Sequence, residues 1–301
     1  MSQKVHLVLG SGGARGIAHI AVIEELEKAG YEIIEVIGCS MGAVVGGIYA
    51  AGHLKEYKEW MFSLNKKGVF DLLDFTFAKQ GFVKGEKLFA KHVEVTGHEQ
   101  IEDFPIPFTA VATDMRHHKE VHFTKGDLYK ALRASVSIPG FFVPVVEDGM
   151  VLVDGGVLNP LPVNLVNKQD DAIIVAVNLN GKPDPKFDKK PKEETDTFDE
   201  VQKWFDKMLP DSFKTKRKTK PKAELPAKEE SFSLIELMDS TFSFTQDRLT
   251  ELMIEMYQPD HLIDIPRNIC GVFDFDQGKR IYEIGKRSYE KEMGRTERSE
   301  D

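Results

Sequence analysis

The chain has 301 residues, 41% hydrophobic and 30% charged, with a net charge of −9 at pH 7. Its length allows one large domain or two modest ones with a sizeable core, and its charge argues against nucleic acid as the main partner. Two cysteines, Cys39 and Cys270, exclude a disulfide framework and point to a reducing compartment.

The first element in chain order is residues 4–10, KVHLVLG, an apolar run ending in glycine as a buried parallel strand does. Residues 17–30 carry Ile17, Ile20, Ala21 and Leu26 on helical spacing, with Gly30 in the stop position. EIIEVIG (32–38) predicts a second strand, and MGAVVGGIYAAG (41–52) a helix of small residues. Strand, helix, strand, helix is the order of a mainly parallel sheet covered on both faces. The middle of the chain is less regular. Residues 108–115 and 120–124 read as strands, and 127–137 as a helix with Asp127 near its start. Residues 141–156 predict a hairpin turning at Asp148-Gly149, and 171–179 another buried strand.

Composition changes near Lys182. From there to Phe232 the chain holds fourteen Lys or Arg, twelve Asp or Glu and six Pro, the make-up of an insertion and not of a core. Within it, residues 196–209 place Phe198, Val201, Phe205 and Met208 on one helical face. A helix over 233–256, a strand over 261–265 and a helix over 278–293 follow, and 296–301 reads as a disordered tail. The expected domain is therefore a single unit over 1–295, interrupted at 182–232.

VIGCSMG (36–42) sets Ser40 between Gly38 and Gly42 where a strand hands over to a helix. In that context G-x-S-x-G is mechanical. The sharp turn aims the serine oxygen out of the sheet, and the helix N-terminus beyond it favours negative charge. Cys39 beside it reads as a small core residue. A second glycine-rich loop, GSGGARG (10–16), also joins strand to helix. Gly12 and Gly13 let the main chain approach an oxyanion and donate N–H groups to it. Arg15 either adds positive charge there or anchors the loop. A dinucleotide fingerprint would need glycine where Arg15 stands, and a triphosphate loop would need G-K-[ST], which is absent.

A serine nucleophile needs a base. Of nine histidines only His261 follows Asp154 in the chain, and it opens a strand without a glycine-rich loop to expose it. His117 and His118 read as solvated. Asp154 ends the apolar run MVLV and is followed by Gly155 and Gly156. A carboxylate at the end of a buried strand acts as base if burial raises its pKa towards neutrality. Taken alone, D-G-G also fits a plain turn.

Together these segments resemble the patatin-like phospholipases, in particular the bacterial branch related to neuropathy target esterase. LVLGSGGARGIAHIAVIEELEKAG is similar to the family's oxyanion segment, and IGCSMGAVVGGIYAAG to its nucleophile elbow. ALRASVSIPGFFVPV (131–145) resembles its third segment, and LVDGGVLNPLPV (152–163) its D-G-[GA] motif. DHLIDIP and GKRIYEIGKRSYEK resemble its closing strand and helix. The resemblance covers 4–180 and 234–293. It implies a three-layer α/β/α fold and a serine–aspartate dyad without histidine. Ser40 is then the nucleophile and Asp154 the base. Gly12, Gly13 and Ala14 supply the oxyanion hole, and Gly10, Arg15, Gly16, Gly38, Gly42, Gly155 and Gly156 support the motifs. Ser11 stands where many relatives have glycine.

The implied activity is hydrolysis of lipid carboxylic esters, with a phospholipid, lysophospholipid or other acyl ester as substrate and no metal or other cofactor. Phe141, Phe142 and the stretch WMFSL (60–64) are candidates for an acyl slot, or are plain core. Two other readings stay open: a small-molecule esterase or thioesterase without a membrane role, and a non-catalytic lipid-binding or scaffold protein. No apolar run reaches bilayer-spanning length, and the N-terminal run is too short for a secretory signal, so the expected location is cytoplasmic. Peripheral membrane contact through 196–222, where the amphipathic face meets the run KTKRKTKPK, competes there with a solvated linker.

Overall fold

A computed structural model describes residues 2–74, 76, 83–168, 171–187 and 234–296. The amphipathic segment 196–209 and the basic run 214–222 lie outside the described residues, as does the tail beyond 296.

The strands are β1 (Lys4–Leu9), β2 (Glu32–Cys39), β3 (Phe108–Asp114), β4 (Lys119–Phe123), β5 (Val145–Glu147), β6 (Met150–Asp154), β7 (Ala172–Gly181) and β8 (His261–Pro266). They form one sheet in the order β5-β6-β3-β2-β1-β7-β8, with β4 paired to β3. The run β3-β2-β1-β7-β8 is parallel, while β4 and β6 are antiparallel to β3 and β5 to β6. Strand β1 lies at the centre, which is why its sequence is almost continuously apolar: Val5, Leu7, Val8 and Leu9 are all fully buried.

The helices are α1 (Ile17–Lys28), α2 (Met41–Ala50), α3 (Leu54–Ser63), α4 (Lys66–Leu72), α5 (Glu86–Thr96), α6 (Leu128–Ser135), α7 (Leu234–Tyr257) and α8 (Gly278–Thr296). Leu7 and Leu9 face a large core shared with α1, α2, α3, α6 and α8. Val8, on the other side of the same strand, packs with Leu161, Val163, Ile174 and Ala176, and Ile254 of α7 closes that layer. The period of two along β1 thus divides two helical layers, and the three-layer α/β/α architecture stands.

Local signals agree with the elements. Asp127 caps α6, its carboxylate accepting from the Lys130 N–H at 2.8 Å. The hairpin β5–β6 turns at Asp148 and Gly149, both at positive φ (48° and 77°), as a two-residue hairpin loop needs. Its strands start later than expected, at Val145, because Phe141 and Phe142 belong to a turn that follows α6. Residues 53–106, where no element was expected, hold α3, α4 and α5. These are short helices whose apolar positions are interleaved with charge, and they build the wall of the cavity described below.

Candidate active site

Strand β2 ends at Cys39, and Ser40 turns the chain into α2 with φ 54° and ψ −124°, a conformation L-residues rarely hold. The turn is tight enough to demand glycine on both sides. A Cβ on Gly42 would sit 2.1 Å from the Leu9 carbonyl oxygen, and one on Gly38 2.5 Å from the Ala43 nitrogen. The absent side chains let α2 lie directly on the sheet and hold the elbow in place. The Ser40 N–H donates to Ser135 Oγ at 2.9 Å, and that hydroxyl donates to the Val111 carbonyl at 2.7 Å.

Asp154 arrives from the opposite direction. Strand β4 pairs with Ala110–Asp114 of β3, so both β2 and β6 must use the other edge. On it β2 pairs as far as Cys39↔Val111, and antiparallel β6 takes over from Ala112↔Asp154. Two strands therefore run towards each other along one edge and end at adjacent positions. Ser40 Oγ donates to Asp154 Oδ2 at 2.6 Å. The other carboxylate oxygen accepts from the Gly156 N–H at 2.7 Å. Asp154 is wholly buried, and burial is the main cause that raises its pKa to about 7. The hydrogen bonds from Ser40 and Gly156 pull the other way.

Among the described residues no histidine bonds to Ser40 or Asp154. His261 opens β8, three strands from β2, or about 14 Å at normal strand spacing. His117 pairs with Asp114 at 2.5 Å, half exposed. His19 is buried, neutral with a pKa lowered to about 4 by desolvation, and donates from Nε2 to the Gly10 carbonyl at 3.0 Å.

That bond is one of several that fix the glycine-rich loop. The Gly10 N–H donates to Val177 O and the Ser11 N–H to Pro160 O, at 3.0 and 2.9 Å. Arg15 donates to the Arg267 carbonyl and to Asn180 Oδ1, each at 3.0 Å, which ties the loop to the end of β7 and to the segment that follows β8. Ala14, expected as a third donor to the oxyanion, has its N–H engaged by the Val272 carbonyl at 2.8 Å. The N–H groups of Gly12 and Gly13 donate to no backbone carbonyl among the described residues. Gly13 has φ +58° and lines the same cavity as Ser40. A Cβ on Gly16 would lie 2.5 Å from Met41 Cβ, so only glycine lets the loop sit this close to the elbow.

From Ser40 an apolar cleft runs between α3, α5 and the turn after α6. Of the acyl-slot candidates, Trp60, Met61, Leu64 and Phe142 line it. Phe141 does not. Its ring packs on Phe273 at 4.2 Å between centroids.

The model for patatin-like phospholipases matches residues 7–166, a span that holds the glycine-rich loop, the Ser40 elbow and the Asp154 turn. The chain belongs to the patatin-like phospholipase family. An uncharacterized NTE family protein of Mycobacterium tuberculosis is 33% identical over 330 residues, covering 95% of this chain and 90% of that one. Lysophospholipase NTE1 of Yarrowia lipolytica is 33% identical over 186 residues, covering 59% of this chain but 13% of that protein. Neuropathy target esterase sws of Drosophila melanogaster is 30% identical over 189 residues, 60% of this chain.

Two residues of this patatin-like site escaped the sequence reading. Ser135 lies inside a quoted motif, and its signal was a small polar residue on the buried face of α6. Gln246 of α7 is buried and donates to Ser11 Oγ at 3.2 Å. Its amide also fills the space beside Gly156, where a Cβ would meet Nε2 at 2.0 Å. It joins the glycine-rich loop to the Asp154 turn from far along the chain, and no motif announces it.

Proposed function

We propose that this chain is a serine acyl hydrolase that cleaves lipid carboxylic esters, of phospholipase A or lysophospholipase type, through an acyl-enzyme on Ser40. The observation that carries the reading is the 2.6 Å hydrogen bond between Ser40 Oγ and the buried Asp154 carboxyl. Asp154, as carboxylate, accepts the Ser40 proton while Oγ bonds to the ester carbonyl carbon. The carbonyl electrons move onto oxygen, and Gly12 and Gly13 N–H groups stabilise that charge. The first turn of α2 adds its positive dipole end. Collapse breaks the ester C–O bond, and the departing alkoxide takes the proton back from Asp154. Water then repeats the sequence, giving up a proton to Asp154 as it attacks the acyl-enzyme and releasing the fatty acid and Ser40.

The pKa of about 7 supports the role, because a carboxyl held there both takes and returns a proton near neutral pH. The apolar cleft beginning at Ser40 supports an acyl chain as the bound group. The Yarrowia relative is named a lysophospholipase, which supports the substrate class. The test is a fluorophosphonate label with a substrate panel. Labelling of wild type that disappears in Ser40→Ala, with turnover greatest on lysophospholipid or long-chain phospholipid, is the expected result. Preference for acyl-CoA or short p-nitrophenyl esters would overturn the lipid assignment. Absence of labelling would overturn the enzyme.

A further inference from the structure

The cleft that starts at Ser40 is lined mostly by apolar residues, and Tyr57 of α3 and His92 of α5 stand among them. Their rings lie 5.6 Å apart between centroids, tilted by 30°, and both residues are at most 3% exposed. His92 Nδ1 lies 2.8 Å from the Leu88 carbonyl. A carbonyl only accepts, so Nδ1 carries the proton and Nε2 presents a lone pair. Desolvation, holding the His92 pKa at about 4, keeps the ring neutral at physiological pH. That Nε2 is buried and has no hydrogen-bond partner among the described residues. The rings of Phe89 and Trp60, at 5.3 and 4.8 Å, and of Tyr129, at 6.4 Å, surround the imidazole. Burial alone raises the Tyr57 phenol, with no hydrogen bond contributing.

A bare acceptor and a hydroxyl donor thus belong to neighbouring rings in the wall of a largely apolar slot. Buried polar atoms are nearly always paired, and each one left bare in the complex weakens binding. An unsubstituted alkyl chain would leave the His92 acceptor bare. An alcohol on the chain satisfies both at once, donating its proton to His92 Nε2 and accepting from the Tyr57 hydroxyl.

We propose that Tyr57 and His92 form a hydroxyl-binding subsite that selects acyl chains carrying an alcohol group part-way along their length. The proposal rests on the reading of the cleft as an acyl slot, and it narrows the substrate class from acyl esters to hydroxyacyl esters.

The experiment compares p-nitrophenyl octadecanoate with the same ester bearing one hydroxyl at successive positions. At one position kcat/KM is expected to exceed that of the plain chain by about tenfold. Tyr57→Phe and His92→Phe, which keep the aromatic bulk, are expected to bring that ratio towards one. A second arm uses Ser40→Ala and displacement of a fluorescent fatty acid by octadecanoic acid or its hydroxy counterparts. It reads the subsite without catalysis. Equal rates and equal displacement across the series would mean that the two atoms hold only solvent, and the proposal falls. If wild type neither labels nor turns over any ester, the hydrolase reading fails by itself. The displacement arm then still decides the subsite, for it if the hydroxy acid wins and against it if not.

Discussion

Ser40 Oγ and Asp154 Oδ2 stand 2.6 Å apart although 114 positions separate them in the chain. Their meeting follows from strand pairing, because β2 and β6 share one edge of β3, run in opposite senses and stop at Val111 and Ala112. The geometry of this pair is thus a property of the sheet. Loops do not have to find it, and rigid strand ends hold reacting groups to tighter tolerances than mobile loops do.

The first prediction concerns Asp154→Asn. The amide oxygen accepts from the Gly156 N–H, and the amide NH₂ donates to Ser40 Oγ, so both native contacts keep a partner. The polarity of the Ser40 bond is reversed, and nothing is left to take the serine proton. The variant is expected to fold, with a circular-dichroism spectrum like wild type, while fluorophosphonate labelling slows by roughly 100-fold or more. Wild-type labelling in this variant would remove Asp154 from the role of base.

The same carboxyl sets two pH dependences of opposite direction. Activity needs the carboxylate, so kcat/KM should rise with pH through about 7 and then level off. Stability moves the other way. The native pKa lies above the unfolded value of 3.8, so between about pH 4 and 7 the folded state binds the extra proton. Across that window folding loses roughly 1.4 kcal/mol per pH unit from this group, and nothing more above it. Asp154→Asn carries no such charge. Its melting temperature relative to wild type should therefore climb from pH 4 to pH 7.5, and thermal melts at the two ends read the difference. A flat difference would mean that Asp154 titrates at its ordinary value.

What was legible in the sequence was whatever the backbone imposes locally. The buried strand β1 shows as an apolar run because both its faces are covered. Gly38 and Gly42 show because no side chain fits between α2 and the sheet. Ser40 and Asp154 could be named as candidates from the strand ends they occupy, and the resemblance to the family joined them as a pair. The engagement of Ala14 by Val272 was not legible, since its partner comes from a turn 258 residues later. Nor were the helices of the cleft wall, although the stretch 60–64 stood out as a candidate, because α3 and α5 interleave charged and apolar residues and have no motif. Gln246 belongs to the same class. Its contact with Ser11 exists only because α7 returns across the sheet after the segment 188–233.

Ser135 tests how the elbow is held. Its hydroxyl links the Ser40 N–H to the Val111 carbonyl, joining α6, the elbow and β3 in one buried chain of bonds. Ser135→Ala leaves a donor and an acceptor unpaired, at a cost of about 1–3 kcal/mol. Because Ser135 lies behind the elbow, the loss should appear in kcat, roughly tenfold, with KM little changed. Denaturant unfolding and steady-state kinetics on one preparation separate the two effects. A rise in KM alone would show that Ser135 shapes the cleft and not the elbow.

The strain at Ser40 gives the last prediction. A φ of 54° with ψ −124° is disfavoured for any residue with a Cβ, and costs on the order of 1–3 kcal/mol. Glycine accepts that conformation freely but ordinarily loses about 0.5–1 kcal/mol through its greater unfolded-state entropy. If the elbow is strained, relief outweighs entropy and Ser40→Gly should be more stable than Ser40→Ala, by about 1 kcal/mol. Both variants lack the hydroxyl and its bond to Asp154, so the comparison isolates the backbone. Urea midpoints measure it directly. Greater stability of Ser40→Ala would place the serine in a relaxed turn and leave its orientation to the Asp154 bond alone.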